Sequence, residues 1–310
     1  MSHGLLAIDF GGTRTRAAWF SDDLALLHRA ESPSLVNRPP QDVINTILAT
    51  AHSVVPPDAT ITAIGIAAPG PLDPQQGVIH HALTLPGWKD TPLARLVSDS
   101  FSGVPTYLQN DGNLAALAEY HRGAAQGCDP VIYLTISTGI GGGAVIGGKL
   151  FTGWRGLAIE PGHMRIKSAG GTSKRLEDVA SGTAIGKLAR IRLSQSRQAS
   201  TLRDVPHVNG KAVGEAAVAG DRLALSIIQE ASQYLGLGIV NLLHLFNPQA
   251  IVIGGSVATL GSLLFDRVTA TIRSYVLHPD FWDAQLIRPA QLGDNVCLVG
   301  AAFYAATHAG

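Results

Sequence analysis

The hydrophobic positions of the chain alternate between short apolar runs and longer stretches with helical spacing. The short runs end in glycine, proline or polar residues and predict strands, whereas apolar residues three and four positions apart predict helices. The predicted strands are 5–8, 15–20, 61–67, 104–108, 131–137, 144–146 and 250–253, and the predicted helices are 39–54, 93–101, 182–194, 221–246, 299–307 and one that starts at 110–111. This alternation implies an α/β fold with mostly buried sheets.

The bulk composition excludes several classes of protein. A chain of 310 residues suits one large or two medium domains, and its formal net charge is zero. Because no basic run exceeds two residues, we expect no nucleic-acid partner. Cys128 and Cys297 form no CxxC pair, which favours a reducing compartment. No signal-peptide pattern precedes Leu5, and glycine and proline interrupt the two long uncharged stretches. We therefore expect a cytoplasmic protein without a membrane span.

The changeover from strand to helix near residue 110 carries two polar side chains, Asn110 and Asp111. A carboxylate at the start of a helix faces unpaired N–H groups and the positive end of the helix dipole. Asp111 is therefore either a simple N-cap or an ionised base held ready for proton transfer. Glycine-rich turns on both sides of it in the sequence favour the second interpretation.

Two glycine-rich turns follow predicted strands, at Asp9-Phe-Gly-Gly-Thr13 and at Thr138-Gly-Ile-Gly-Gly-Gly143. Glycines let backbone N–H groups approach phosphate oxygens, Thr13 adds a hydroxyl, and Asp9 could hold the waters of a Mg²⁺ ion. An ordinary hairpin turn is the alternative at each place. Neither turn is a P-loop or a dinucleotide fingerprint. A third pair, Gly254-Gly255, follows a buried strand and is predicted to lie against adenine and ribose.

A polar cluster formed by Glu160, His163 and Glu177 flanks an irregular segment of the second half. A single Glu or His is more often a solvated residue than a ligand. Three such residues within eighteen positions, in a chain with 15% charged residues, are better suited to a polyol. We therefore predict a sugar-binding cluster.

Taken in order, these motifs resemble the ROK family of sugar kinases and sugar-responsive repressors, within the actin-like and hexokinase-like superfamily. The resemblance extends over nearly the whole chain. The matching segments are 6–13, 65–73, 85–88, 110–113, 137–143, 160–163, 176–183 and 253–256.

The resemblance implies a two-lobed actin-like, ribonuclease H-like ATPase fold with the active site in the cleft between lobes. The expected lobes are 1–109, completed by 298–310, and 110–297. Asp111 is the implied catalytic base. The implied site residues are Gly70, Asn110, Glu160, His163 and Glu177 for the sugar, and Asp9, Gly11, Gly12, Thr13, Thr138, Gly139, Gly254 and Gly255 for the nucleotide. A side chain at Gly139 is expected to raise the KM for ATP and to leave the hexose site largely intact.

The implied activity is ATP- and Mg²⁺-dependent phosphorylation of a hexose at its primary hydroxyl, with glucose favoured, by a homodimer. Two alternatives stay open. One is a kinase for N-acylmannosamine, N-acetylglucosamine, fructose or allose. The other is a non-catalytic sugar sensor. Repressors of the family carry an N-terminal helix-turn-helix domain, and we expect none here because the first predicted strand begins at Leu5.

Three departures from the family pattern concern the site. Arg14 stands where the family commonly has lysine, and Thr84 stands where asparagine is usual before Leu-Pro-Gly-Trp88. The zinc-binding cysteine cluster before Glu177 is missing, because residues 167–175 contain no cysteine. A tetrahedral structural zinc site needs four N or S ligands. We therefore expect no zinc and a role for His163 toward the sugar alone.

Overall fold

The computed structural model describes residues 3–80, 85–167 and 170–309, so the departure at Thr84 lies outside the described residues. The strands are β1 (His3–Phe10), β2 (Arg14–Ser21), β3 (Leu26–Pro33), β4 (Thr60–Ala68), β5 (Leu72–Asp73), β6 (Val78–Ile79), β7 (Thr106–Asn110), β8 (Val131–Ile136), β9 (Ile140–Ile146), β10 (Lys149–Leu150), β11 (Arg165–Lys167), β12 (Ser173–Arg175), β13 (Ala250–Gly254) and β14 (Ile287–Pro289). The helices are α1 (Pro40–His52), α2 (Leu93–Ser100), α3 (Asp111–Arg122), α4 (Glu177–Ala180), α5 (Gly182–Gln195), α6 (Gly210–Val218), α7 (Arg222–Phe246), α8 (Ser262–Tyr275) and α9 (Val296–Ala309).

The chain divides into two compact units. The first comprises residues 1–123, 150–158 and 294–310, and the second comprises 124–149 and 159–293. Helix α3, which follows Asn110, belongs to the first unit, as does α9. The lobe boundary drawn at Asn110 from the sequence stays a prediction.

The first unit is built on a five-stranded sheet with the order β3-β2-β1-β4-β7. Its central strand β1 pairs antiparallel with β2 and parallel with β4, and it is buried from Gly4 to Phe10. Burial on both faces explains the continuous apolar run in this strand. Helix α1 contributes Val43 and Ile47 to the core on one face. Helix α9 packs on the other face, where Gly65 of β4 meets its backbone.

The second unit has its own five-stranded sheet, with the order β10-β9-β8-β13-β14. Strand β8 pairs antiparallel with β9 and parallel with β13, so the hairpin of the first sheet and its parallel neighbour recur. Helix α7 places Ile227, Leu235 and Ile239 in the core against this sheet. The repeated strand order accounts for the two similar glycine-rich turns in the sequence.

Gly141, Gly142 and Gly143 lie in a strand and not in the turn that the sequence predicts. Residues 138–143 were expected to form a loop, but β9 begins at Ile140, and Gly141–Gly143 pair with residues 133–135 of β8. A side chain at Gly142 would meet the carbonyl of Tyr133 at 2.7 Å, so the strand needs glycine there for packing. The turn itself is reduced to residues 137–139.

Several elements are not predicted by the hydrophobic pattern, among them β3, α6 and α8. Strand β3 is a mostly exposed edge strand that carries charged residues, so it has no apolar run. Helix α6 is short and rich in alanine and glycine, and the N-cap residue of α8, Gly261, has no side chain that could cap the helix. Each of them lacks the pattern or the cap by which its kind of element is found in a sequence.

Helix α7 is, within the described residues, the one helix long and apolar enough to cross a membrane. In that apolar window, 67% of the residues are buried inside the protein. The helix is apolar because most of its circumference faces other elements of the second unit.

Helices α3 and α9 approach so closely that Gly300 has no room for a side chain. A Cβ atom there would lie 1.9 Å from the carbonyl oxygen of Leu114, and backbone cannot move aside as a flexible side chain can. We predict that Gly300→Ala lowers the free energy of unfolding by about 1–3 kcal/mol, the usual cost of overpacking. The loss should appear although alanine is the better helix former by about 1 kcal/mol.

Urea unfolding at an unchanged m-value measures this effect. The control is Gly170→Ala, because a Cβ atom at Gly170 has no neighbour within 4 Å among the residues that the structure describes. Equal midpoints for the two variants would contradict the close packing of α3 on α9.

Candidate active site

The start of helix α3 separates the two roles considered for Asp111. Asn110 is the N-cap residue, and its Oδ1 accepts a hydrogen bond from the Gly112 N–H at 2.9 Å. Asp111 is the first residue of the helix, and its Oδ1 accepts from the same N–H at 2.8 Å. Capping therefore does not depend on Asp111. Its carboxylate is held at the positive end of the helix dipole, where negative charge is stabilised.

A buried amide network fixes the backbone that carries Asp111. Gln109 is 1% exposed, and its Oε1 accepts from the Asn110 N–H at 2.8 Å and from Nδ2 of Asn113 at 3.1 Å. Cys297 lies beside this turn, with its Sγ 3.8 Å from the carbonyl oxygen of Asp111. Desolvation raises the pKa of the Cys297 thiol well above its usual value, so this partly buried cysteine stays a neutral thiol.

Gly70 lies next to this turn, directly before a cis bond to Pro71. A Cβ atom at Gly70 would be 3.4 Å from Nδ2 of Asn110. The first unit thus brings together two of the predicted sugar residues, Gly70 and Asn110, beside Asp111.

The β1–β2 turn carries the first group of predicted phosphate residues. Gly11 donates its N–H to the carbonyl of Arg14 at 3.0 Å, and Gly12 has no atom within 4 Å of its Cβ position. Gly12 and Thr13 are both exposed. The turn therefore leaves the backbone of Gly12 and Thr13 open to solvent, and its role toward phosphate stays a prediction.

Asp9 lies at the end of β1 and forms a buried ion pair across the hairpin. Its Oδ2 accepts from Nη1 of Arg16 at 2.9 Å, with the two side chains 6% and 17% exposed. Burial raises the pKa of Asp9, and the hydrogen bond and positive charge of Arg16 oppose that rise. Arg16 also contacts Glu31 on the next strand and Asp294 before α9. A row of alternating charges thus crosses β1, β2 and β3.

Asp9 fits the water-mediated contact with Mg²⁺ that was predicted, and it does not fit direct coordination. One carboxylate oxygen is already bound by Arg16, and the guanidinium balances its charge. In the part of the chain that the structure describes, no group of three or more His, Cys, Asp or Glu side chains could hold a metal ion. Mg²⁺ keeps several water ligands in such sites, which suits this arrangement.

The β8–β9 turn is tied to two other segments of the second unit. The Gly182 N–H at the start of α5 donates to the Ser137 carbonyl at 2.7 Å, and the Ser256 N–H donates to Ser137 Oγ at 3.2 Å. Thr138 is exposed on this turn. The turn therefore connects the start of a helix and the loop after β13.

Those three segments border a cavity of about 850 Å³ within the second unit. Its lining includes Thr138, Thr183, Asn209, Lys211, Ser256 and Leu260. Its size and its mixture of polar and apolar walls fit a nucleoside. Apart from Thr138, none of these lining residues was predicted as a site residue. Thr183 and Ser256 lie in segments that resemble the family but were given no role, and α6, which carries Lys211, was not predicted.

Gly254 and Gly255 do not line this cavity. A Cβ atom at Gly254 would lie 2.5 Å from Oη of Tyr133, and one at Gly255 would lie 2.5 Å from the Ile136 carbonyl. Gly255 also has a positive φ of 86°. These glycines let the loop after β13 turn closely over β8 and place Ser256 and Val257 at the cavity wall.

The structure brings the predicted polyol cluster together in the second unit. Glu160 keeps solvent access, but the surrounding protein partly desolvates it and raises its pKa. The nearby His163 opposes this rise and the negative Glu177 adds to it, so the three side chains influence one another electrostatically. Glu177 accepts from the Ile140 N–H through Oε2 at 2.9 Å.

The expectation that a side chain at Gly139 leaves the hexose site largely intact stays a prediction, and the structure places Gly139 beside a predicted sugar residue. A Cβ atom at Gly139 would lie 2.4 Å from Oε2 of Glu177, a predicted sugar residue. The substitution would therefore displace that carboxylate.

The segment that lacks the family's zinc-binding cysteines is closed by a two-stranded hairpin, β11–β12. Arg175 at its end binds Asp178 through two hydrogen bonds, from Nε at 2.9 Å and from Nη2 at 2.7 Å. The Leu176 N–H donates to the Met164 carbonyl at 2.8 Å. These contacts lead the chain directly into α4, whose first residue is Glu177.

The pairing of Arg16 with Asp9 can be tested by stability. We predict that Arg16→Met lowers the free energy of unfolding by about 3–5 kcal/mol, because it leaves a buried carboxylate without its partner. The double variant Asp9→Asn with Arg16→Met should recover part of this loss, because it removes the unpaired charge. Denaturant unfolding of the single and double variants gives the coupling energy.

The matched control is Arg14→Met. Arg14 is 53% exposed and pairs with Glu31 at 3.1 Å, so its removal should cost no more than about 1 kcal/mol. If Arg14→Met and Arg16→Met were equally destabilised, the buried pair would not be the stabilising contact.

The chain has relatives of known family along nearly its whole length. The model of the ROK family matches residues 5–308. A glucokinase of Thermotoga maritima is 31% identical over 306 residues, which cover 96% of each chain. The E. coli repressor Mlc, a DNA-binding transcriptional repressor, is 30% identical over 247 residues, which cover 78% of this chain and 60% of the repressor.

The fold has a close counterpart among solved structures. The crystal structure of a ROK family glucokinase from Streptomyces griseus, in complex with glucose and AMPPNP, has a TM-score of 0.82 and 30% identity. The match covers 98% of this chain and 99% of that chain. The predicted class, an α/β actin-like ATPase fold, is thereby confirmed. The family match, over residues that include every predicted site residue, shows that this chain belongs to the ROK family.

Proposed function

We propose that this protein is an ATP-dependent sugar kinase that phosphorylates the primary hydroxyl of a hexose, with glucose as the first candidate. The observation that carries the proposal is the start of α3. Asn110 caps the helix, so the adjacent carboxylate of Asp111 is not needed for capping. A carboxylate fixed at a helix start and supported by a buried amide network suits a general base.

In the proposed reaction, Asp111 accepts the proton of the primary hydroxyl as its oxygen attacks the γ-phosphorus. The bond from that phosphorus to the bridging oxygen breaks, and ADP leaves. Little covalent chemistry remains for the protein, so its main tasks are to position the reactants and to stabilise charge.

The remaining residues have separate tasks in this proposal. Glu160, His163 and Glu177 bind the other sugar hydroxyls, with Gly70 and Asn110 near the reacting one. Carboxylate and imidazole groups suit hydroxyls, because carboxylates accept their protons and a ring nitrogen can donate or accept.

For the nucleotide, the open backbone at Gly11, Gly12 and Thr13 and the turn at Thr138 and Gly139 bind phosphate oxygens. The cavity beside Ser256 holds the nucleoside. Mg²⁺, when bound to the phosphates with Asp9 as a water-mediated partner, would neutralise developing negative charge. Arg16 keeps Asp9 in place for that contact.

Two other functions are alternatives to this proposal. The family includes repressors, so a sugar sensor without catalysis is the alternative of a different class. A kinase for an N-acylhexosamine, fructose or allose is the alternative within the same class. ADP release measured with a panel of these sugars separates the kinase substrates, and a gel-shift assay tests the sensor.

The role of Asp111 gives a kinetic prediction. We expect Asp111→Asn to lower kcat by about 10²–10⁴-fold, the usual range for a positioned base, because asparagine cannot accept the proton. The Kd for hexose should change far less, since the other hydroxyls keep their partners. Steady-state ADP release and calorimetric sugar binding measure the two quantities.

Asp42→Asn is the matched control. Asp42 also lies in the first turn of a helix, α1, without a predicted catalytic role. Near-normal turnover in Asp111→Asn, or an equal loss in both variants, would remove the catalytic assignment and return Asp111 to a purely structural role.

The raised pKa of Glu160 gives a prediction about pH. Desolvation makes this carboxyl take up its proton at a higher pH than an ordinary glutamate does. Because the ionised form is the better acceptor for sugar hydroxyls, hexose affinity should fall as pH drops through that pKa. Calorimetry of glucose binding across the acid range should show this step in wild type and not in Glu160→Gln. The same step in both proteins would mean that another group causes it.

A further inference from the structure

The carboxylate of Glu177, a predicted sugar ligand, is bound to the backbone of the predicted phosphate turn. Its Oε2 accepts a hydrogen bond from the Ile140 N–H at 2.9 Å. Ile140 is the first residue of β9 and directly follows Gly139. Hydrogen bonds to an ionised acceptor are roughly twice as strong as neutral ones. This contact is therefore a substantial constraint on the turn.

The absence of a side chain at Gly139 leaves space for the Glu177 carboxylate. A Cβ atom there would lie 2.4 Å from Oε2 of Glu177, closer than real Cβ contacts allow. A side chain at this glycine, which is predicted to bind phosphate, would therefore displace the Glu177 carboxylate from its present position.

A cation lies near the other oxygen of the Glu177 carboxylate. Nη1 of Arg175 is 4.0 Å from Oε1 of Glu177, and the same guanidinium is fixed by two hydrogen bonds to Asp178. Glu177 is therefore held between the phosphate turn and the end of the β11–β12 hairpin.

Hydrogen bonds connect the turn to other segments that line the cavity. Ser137 accepts from the N–H groups of Gly182 and Ser256, and the Thr183 N–H donates to the Thr138 carbonyl at 3.4 Å. Ser137, Thr138, Thr183 and Ser256 all line the cavity proposed for the nucleoside. A single hydrogen bond, from the Ile140 N–H to Glu177, thus connects this carboxylate to a turn that forms part of the cavity wall.

We propose that Glu177 is a positioning residue of the phosphate turn as well as a sugar ligand, so that hexose and nucleotide bind with positive coupling. The inference rests on the proposed function. A sugar hydroxyl that binds Glu177 restricts the carboxylate and, through the Ile140 N–H, orders the turn before the nucleotide arrives. The second ligand then loses less conformational freedom, and linkage makes the effect equal in both directions.

The test is calorimetric titration of AMPPNP, with Mg²⁺, in the absence and presence of saturating glucose. The coupling factor is the ratio of the two Kd values. For wild type we expect a factor of about 5 or more, the lower end of typical allosteric couplings. Glu177→Ala should bring the factor to about 1 and should also weaken AMPPNP binding without glucose, because the turn loses its hydrogen bond.

Glu160→Ala is the matched control, because it removes the other carboxylate of the sugar cluster. It should weaken glucose binding and leave the coupling factor and the AMPPNP Kd without glucose unchanged. Gly139→Ala is the second test, because it displaces the carboxylate without deleting it. This variant should weaken glucose binding and lower the coupling factor.

The outcomes separate the inference from the proposed function. Equal coupling factors for Glu177→Ala and Glu160→Ala, or an unchanged AMPPNP Kd in Glu177→Ala, overturn the role of Glu177. Binding of both probes to wild type with a factor of 1 also overturns it, and the kinase proposal then stands on its own turnover assay. A wild-type protein that binds neither probe overturns both.

Discussion

Close approach between backbones is the constraint on which both units depend. In the first unit, α9 lies so near α3 that Gly300 meets the Leu114 carbonyl. In the second, the loop after β13 lies so near β8 that Gly255 meets the Ile136 carbonyl. A side chain at either position would push apart the elements that hold a site segment, namely the turn at Asp111 and the wall at Ser256. The polar groups are therefore positioned by backbone segments that pack directly against each other, which only glycine allows at these two positions.

The charges of the site obey a second constraint, because a carboxylate removed from water needs a partner. Asp9 has Arg16, and Glu177 has the Ile140 N–H with Arg175 nearby. Each of these partners also belongs to another contact, since Arg16 reaches Glu31 and Arg175 holds Asp178. The same few groups thus both balance the buried charges and hold the side chains in place.

Sequence patterns predicted the elements whose apolar residues face a core. The runs in β1, β4, β8 and β13 were found because those strands are buried, and α7 was found because it is long and apolar. Strand β3 was missed because it is an exposed edge. Hydrophobic periodicity arises from burial, so an element with few buried residues shows little periodicity in the sequence.

The sequence by itself determined the family, the α/β class and the identity of the polar residues at strand ends, because these depend on residue type and order. The tertiary structure decided what the glycines and carboxylates do. The local sequence pattern could not show that Gly139 leaves space for the Glu177 carboxylate or that Gly254 and Gly255 pack on β8. Nor could it show that Arg16 forms an ion pair with Asp9. Those contacts join residues that are far apart in the sequence or lie on facing strands, and only folding brings their atoms within a few ångströms of one another.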